Sequence, residues 1–456
     1  MSYKYPLPEF WVEAELQDFC LKVADGTHDS PKQTECGKLL VTSKNIIGGT
    51  LNLSKSYYIS DRDFHEVNRR SKVDVNDVLI SMIGTVGEVC LIESEPDFAI
   101  KNVGLLKNND PLKAKWLYFY LTSPQAQAQI KERMRGTTQQ YLPLGELRKF
   151  PIIYPNSRAV MRKVVGMLGA LQDKIQLNHQ IIQTLEQMAQ SIFRSWFVDF
   201  EPTKAKISAC DADGSGNDAL LAAIQAISGK NRAQLASLHT EQPEHYAELR
   251  AAAELFPAAM QVTELGEIPE GWGVKPIGEI LDRLKPIKRY TKKQVASVGT
   301  VPVFEQGIDI LMGFHNDVPG FIATPESPVF IFGDHTCITH LSCQDFDISQ
   351  NVIPLKGRGR PTVWTFYALQ GKQKFQEYRR HWSELIVKDV IYPPAALCEF
   401  FAETVIGFIR LKEQLVRESE NLKEMRGVLL PKIFLGELSL GGEETDLADA
   451  IEEVNV

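Results

Sequence analysis

The chain has 456 residues, 44% of them apolar and 24% charged, with a formal net charge of −8. That length predicts two to four domains with ample core, and the acidic balance excludes a chain-wide basic footprint, so any contact with nucleic acid must come from local patches. The seven cysteines are scattered without C-x-x-C spacing, as suits a reducing compartment, and no apolar run reaches 18 residues; a soluble cytoplasmic protein with no membrane contact is expected.

Residues 1–155 read as a globule of short strands and turns. Val78 to Ile83 form an apolar, β-favouring run closed by Gly84 and Gly87, and residues 116–130 read as one short helix. Residues 150–155 read as extended, because residues before proline avoid helical geometry. Ser157 is the expected N-cap of a long helix over 156–201. Along it Val164, Leu168, Leu171, Ile175, Asn178, Ile182, Leu185, Ala189, Ile192 and Trp196 recur at steps of three and four. Such a seam marks a helix that supercoils with a partner, and Asn178 fits a register-fixing polar position.

Residues 202–262 open on a polar turn at 211–217 and continue with Ala-rich helical stretches at 218–228 and 246–255, which read as a linker with helices lying on the surface. A second globule is expected over 263–394. A second long helix is expected over 395–430, in a segment reaching 435, with Phe401, Val405, Phe408, Lys412, Leu415, Ser419, Leu422 and Leu429 as its looser seam. Pro431 is expected to stop it. The acidic segment 436–456 is expected to be disordered.

The two halves repeat. Pro8, Glu9 and Trp11 return as Pro269, Glu270 and Trp272, 261 residues on. Ile83-Gly84 and Asn102-Val103 return as Phe332-Gly333 and Asn351-Val352, both 249 on, and Trp116 and Leu121 return as Trp364 and Leu369, 248 on. Gly145-Glu146-Leu147 and Ile153-Tyr154-Pro155 return as Ser383-Glu384-Leu385 and Ile391-Tyr392-Pro393, 238 on, and Leu185 to Met188 return as Leu422 to Met425, 237 on. The matches keep their order and the separation only shrinks, as two copies of one module would give if the second lost loop residues. The predicted fold is therefore α/β (α+β): two globules, each followed by a long helix, the helices pairing antiparallel about a pseudo-twofold axis. Such a chain can hold two reading heads at a set spacing, as bipartite DNA sites require.

Motifs of catalysis are missing: there is no phosphate loop, no G-x-G-x-x-G, no G-x-S-x-G, no H-E-x-x-H and no zinc spacing. Asp334-His335 reads as a loop-capping Asp beside a surface His, and Tyr392-Pro393-Pro394 lacks the Asn or Asp that an amino-methyltransferase tetrapeptide carries. No catalytic or metal-binding residue is assigned. Basic runs are present in both globules. Lys131, Arg133 and Arg135 lead into Gly136, Thr137, Thr138, Gln139, Gln140 and Tyr141. Lys285, Lys288, Arg289, Lys292 and Lys293 interleave with Tyr290; Arg358 and Arg360 sit in a Gly-spaced loop; Arg379 and Arg380 occupy roughly the place in the second copy that residues 139–141 hold in the first. Lys and Arg neutralise phosphates, while Arg and Gln can also read guanine and adenine edges, so these residues are the candidate DNA contacts. If Lys288→Ala and Arg289→Ala change neither affinity nor its salt dependence, that run is only a solvated face.

The chain resembles the specificity subunits of type I restriction–modification systems. The resemblance rests on Val41-Thr42-Ser43-Lys44-Asn45-Ile46, Tyr58-Ile59-Ser60, Asn76 to Gly87, the Gly136-Thr137-Thr138-Gln139 turn and Leu265 to Trp272, and most closely on Leu177-Asn178 followed by Phe193 to Pro202. It covers nearly the whole chain apart from 203–262 and the tail; the second globule lacks the Gly-Thr-Thr-Gln turn, and the family often has Gly where Asn76 stands. It adds Lys44 to the candidate contacts. It implies a non-catalytic subunit with two target recognition domains, 1–155 and 263–394, each reading half of a bipartite, asymmetric site on double-stranded DNA. The helices would fix the unread gap and dock two methyltransferase subunits, with restriction and translocase subunits joining. No cofactor would be bound by this chain; S-adenosylmethionine, ATP and Mg²⁺ would belong to the partners. The competing reading is a coiled-coil scaffold with two protein-binding domains, which predicts no DNA affinity; a hidden enzyme would show activity without partner subunits.

Overall fold

The computed structural model describes residues 11–434 apart from position 308. The repeat residues Pro8 and Glu9 and the acidic segment 436–456 lie outside the described residues. The chain divides into two compact units, Met1–Asn178 with Arg417–Val456, and His179–Val416.

In the first unit the chain runs through β1 (Trp11–Glu15), α1 (Leu16–Phe19), β2 (Lys22–Asp25), β3 (Lys38–Thr42), β4 (Ile46–Ile47), β5 (Thr50–Leu51), β6 (Tyr57–Ile59), α2 (Asp61–Ser71), β7 (Val78–Ser81), β8 (Val89–Leu91), β9 (Phe98–Lys101), β10 (Val103–Lys107), α3 (Pro111–Thr122), α4 (Pro124–Arg133), α5 (Leu144–Arg148) and β11 (Pro151–Pro155) to the first part of α6 (Arg158–Phe197). The main sheet is antiparallel, in the order β2-β10-β7-β8; a smaller sheet orders β6-β3-β9, with β3 and β9 parallel. β1 and β11 pair antiparallel, Trp11 opposite Pro155.

The single helix expected over 116–130 is two. Pro124 has no amide hydrogen to continue the ladder, and Ser123 ends α3 and caps α4, its hydroxyl accepting from Ala126 N at 3.2 Å. Helix α3 is buried almost all round, and its polar atoms are matched: Trp116 Nε1 donates to Ile153 O and the Tyr120 hydroxyl to Pro151 O, each at 3.0 Å. Ser157 stands where a cap was expected, its hydroxyl accepting from Val160 N at 3.5 Å.

In the second unit, after α6, come α7 (Glu201–Asp211), α8 (Gly216–Ser228), α9 (Arg232–Glu241) and α10 (Pro243–Glu254), followed by β12 (Met260–Thr263), β13 (Gly266–Pro269), β14 (Gly273–Pro276), β15 (Leu281–Arg283), β16 (Arg289–Tyr290), β17 (Val301–Phe304), β18 (Leu311–His315), β19 (Val329–Gly333), β20 (Thr339–Ser342), β21 (Asp347–Ser349), β22 (Val352–Gly357), α11 (Thr362–Leu369), α12 (Trp382–Ile386), β23 (Asp389–Tyr392) and the first part of α13 (Ala395–Phe434). The main sheet, β15-β22-β19-β20, has the strand order and antiparallel pairing of its counterpart in the first unit. Asn102 and Asn351, paired by the sequence repeat, both adopt left-handed geometry (φ 54° and 61°) just before β10 and β22, and Trp116 and Trp364 are both buried. The smaller sheets differ: β16-β21-β17-β18 in the second unit carries a β17–β18 hairpin where the first unit has β6 on the other side.

Residues 201–254 are not a linker with helices resting on the surface. Helices α8, α9 and α10 enclose a core of their own, Ala223, Ile224, Leu235, Leu238, Leu249 and Ala253, and α8 and α9 begin with capping boxes from Ser215 with Asp218 and from Asn231 with Gln234. Alanines let the short helices pack closely, so little bulky apolar surface is needed to close the core. Lys206 of α7 is buried, its ammonium on Phe256 O at 2.5 Å, and burial lowers its pKa.

The two long helices run antiparallel within each unit. In the first, Asn178 Nδ2 meets Glu418 Oε2 at 2.8 Å and Arg426 donates to Gln172. In the second, Lys412 pairs with Glu186 at 2.7 Å and the Phe193 ring lies against Phe401. The seam positions Leu168, Ile175, Asn178, Leu185, Val405 and Leu415 are buried, and Leu171, Ile182, Ile192, Phe408 and Leu422 are half-buried. Pro431 does not stop α13, which continues to Phe434. Near a helix end proline removes one amide bond only, and Leu429, Leu430, Ile433 and Phe434 are buried there, with the Phe434 ring 5.2 Å from Tyr120 and 5.3 Å from Trp116.

Candidate nucleic-acid interface

In the first module most of the candidate contacts gather at one end of the main sheet, where β2 and β7 finish and β10 and β8 start. Leaving β7, the chain turns at Gly84 (φ 81°) and Gly87 (φ 97°). Residues 135–141 form a hairpin loop beside that turn. Its base is closed by Arg135 N to Tyr141 O at 2.8 Å and Tyr141 N to Arg135 O at 2.9 Å, and Leu142 N donates to Met82 O at 2.8 Å. Gly136 (φ 91°) makes the sharp bend; a Cβ there would lie 2.4 Å from Gln139 O. Thr137, Thr138, Gln139, Gln140 and Tyr141 are all exposed at the tip. Arg135 leans back onto Glu146 at 3.1 Å. Arg133 lies over the Phe150 ring at 5.1 Å, while Lys131 is exposed.

Lys44 reaches the same end. It sits on a short 3₁₀ turn, Ser43–Asn45, and Ser43 Oγ donates to Asn102 O at 3.1 Å. Thr42 N and Thr42 Oγ1 both donate to Asn45 Oδ1, at 2.8 and 3.0 Å, which holds the turn closed. His28 lies there too, its ring nitrogens 2.8 Å from Asn102 Oδ1 and 2.9 Å from Asp25 Oδ2. Sequence reasoning passed over His28; the left-handed Asn102 that it contacts was marked by the repeat.

The equivalent end of the second module holds Lys285, the 3₁₀ turn Lys292–Gln294, and the loop before α12. That loop is tied down by His381 N to Asp334 O at 2.7 Å and by Gln373 Nε2 to Glu384 Oε2 at 2.9 Å. Asp334 is a capping residue, as expected, accepting from Trp382 N at 2.9 Å. Two aromatic side chains missed in the sequence, Phe375 (55% exposed) and Tyr378 (73%), stand out on the loop, Tyr378 against His335. The signal was available: Tyr378 directly precedes Arg379-Arg380.

Several basic residues are already occupied. Arg379 pairs with Glu384 at 2.9 Å and Glu377 at 3.4 Å, and Arg380 lies 3.9 Å from Asp334. Lys292 pairs with Glu305 at 3.8 Å. Lys288 sits over the Tyr290 ring and 3.3 Å from Asp317; with the Tyr290 hydroxyl it holds the Asp317 carboxyl below the usual carboxylate range. Arg289 turns inward to Ser349 O (2.7 Å) and Val352 O (2.9 Å), and burial, with Arg283 nearby, lowers its pKa. Arg358 and Arg360 are at the other end of the main sheet, where β22 finishes. Arg358 pairs with Asp282 at 2.7 Å, and Arg360 stacks on Tyr392 and donates to Pro393 O. The structure does not bring these two together with the rest. Lys44, Lys131, Lys285 and Lys293 form no ion pair among the described residues.

Among the described residues no helix is long and apolar enough to cross a membrane, and no group of three or more His, Cys, Asp or Glu is placed to hold a metal ion. Residues 8–187 match the model of the type I restriction modification DNA specificity domain. The type I restriction enzyme HindI specificity subunit of Haemophilus influenzae is 43% identical over 156 residues, 33% of this chain and 34% of that one. The MjaIX specificity subunit of Methanocaldococcus jannaschii is 27% identical over 95 residues, 21% of this chain and 22% of that one. The chain thus spans about a third or less of the curated relatives it matches. A type I restriction–modification S subunit from M. genitalium aligns over 95% of this chain and 98% of its own, at 15% identity and TM-score 0.48. The stretch similar to the type I restriction modification DNA specificity domain, residues 8–187, holds the first module's exposed Gly136–Gln140 loop and most of the first long helix.

Proposed function

We propose that this chain is the DNA sequence-specificity subunit of a type I restriction–modification complex. Each module reads one half of a bipartite, asymmetric site on double-stranded DNA, base contacts specifying and phosphate contacts positioning. The paired helices set the unread gap and dock two methyltransferase subunits, which restriction and translocase subunits join. The chain performs no catalysis and works in the cytoplasm; S-adenosylmethionine, ATP and Mg²⁺ are held by its partners. The observation that carries this reading is the exposed 136–141 loop, closed at its base and set at the same end of the sheet as the exposed Lys44. It offers Thr and Gln side chains that can bond base edges, and Lys44 offers a cation for a phosphate.

The test compares genome-wide DNA methylation in the host with and without this gene. Loss of one gapped, bipartite methylated motif is expected. Identical methylation, together with no salt-dependent DNA binding by the purified protein, would overturn the reading in favour of a protein-binding scaffold.

A further inference from the structure

The 249-residue spacing that relates Asn102 to Asn351 also relates Thr42 to Thr291, Lys44 to Lys293 and Asn45 to Gln294. The local structures coincide. Thr291 N and Thr291 Oγ1 donate to Gln294 Oε1 at 3.0 and 2.9 Å, the pattern Thr42 makes with Asn45. Each turn follows a strand, β3 or β16, that runs parallel to the strand leading to the left-handed asparagine, β9 or β21. In both modules the second residue of the turn is an exposed lysine with no ion pair among the described residues.

The chain between these landmarks is not the same: the first module places a short hairpin, β6 and α2 between Thr42 and β7, and the second places the β17–β18 hairpin between Thr291 and β19. The capped turn and its lysine are thus shared where the intervening structure is not. A free ammonium on a clamped turn gains from phosphate contact without first breaking an ion pair, unlike Arg379, Lys288 or Lys292. Nothing about the turn selects a base, since the lysine is a compact, mobile point charge rather than a planar fork.

Building on the specificity-subunit reading, we propose that Lys44 and Lys293 are matched phosphate anchors, one in each module, which set the module on the DNA backbone and read no base. The test measures binding of the full-length chain, in the complex in which it purifies, to a duplex carrying the motif found by methylation mapping, over a range of salt concentrations. Lys44→Ala and Lys293→Ala should each reduce the slope of log K against log salt by about 0.9, and the double variant by about 1.8. Base preference should stay unchanged, and Lys44→Arg and Lys293→Arg should restore the slope. Phosphate ethylation interference should lose one position in opposite halves of the site for the two variants. Unchanged slopes in the alanine variants, or a change at only one of the two lysines, would overturn the anchors and leave the specificity reading standing. No salt-dependent binding by the unsubstituted protein would overturn both.

Discussion

Gly136→Ala puts the candidate reading loop under direct strain. Gly136 has φ 91°, a region that costs a non-glycine residue about 1–3 kcal/mol. The added Cβ would also lie 2.4 Å from Gln139 O, a backbone atom that cannot swing aside as a side chain would. The loop must therefore open or shift, moving Thr137 to Gln140. Because the tip is exposed, global stability should fall by no more than the strain itself. If the loop makes even one good base contact, its misplacement should weaken specific binding by about 1–3 kcal/mol, roughly 5- to 150-fold. Gly145→Ala is the control, since a Cβ there meets nothing. Competition binding with duplexes altered in one half-site at a time is the assay. Loss of discrimination is expected in one half only. Unaltered affinity and discrimination in Gly136→Ala would refute the assignment of this loop as a reader.

Asn178→Leu should stabilise the first unit by about 1 kcal/mol, because the buried Asn178 Oδ1 has no partner and leucine removes it; denaturant unfolding checks this, and a loss of stability would mean that the amide bonds to Glu418 and Ser419 outweigh the orphaned oxygen. Arg289→Met should destabilise the second module by about 2–4 kcal/mol by stranding the carbonyls of Ser349 and Val352. It should leave the salt dependence of DNA binding alone; a slope reduced by about 0.9 with stability intact would place Arg289 on a phosphate instead.

The helical seam was legible because its periodicity is local: each apolar residue announces its neighbour three or four positions away. The repeat was legible through residues whose backbone is special, Asn102 and Asn351 above all, although the equivalent Thr42 and Thr291 were passed over at the same spacing. What the sequence hid was long-range. Arg358 looks like a free cation until folding brings Asp282 to it, and Arg380 until it meets Asp334. Arg289 looks like its basic neighbours but is spent on carbonyls some 60 residues away. The break at Pro124 was written in the chain, whereas the continuation through Pro431 depended on the aromatic pocket that receives Phe434. The compact 201–254 helices were obscured because alanine-rich segments signal helix without signalling what the helices pack against.

The pairing of β1 with β11, Trp11 opposite Pro155, and of β14 with β23, Gly273 opposite Tyr392, bears on inheritance as well as on folding. Each module hangs from a two-stranded stem, so its polypeptide arrives and departs side by side. Provided the α3 rings that receive Phe434 are kept, the sequence beyond the stem can change without moving the points at which the remaining chain is joined. On the function proposed above, a gene built this way would acquire a new preference through two crossovers in stem codons, one half at a time, while the other half keeps its own.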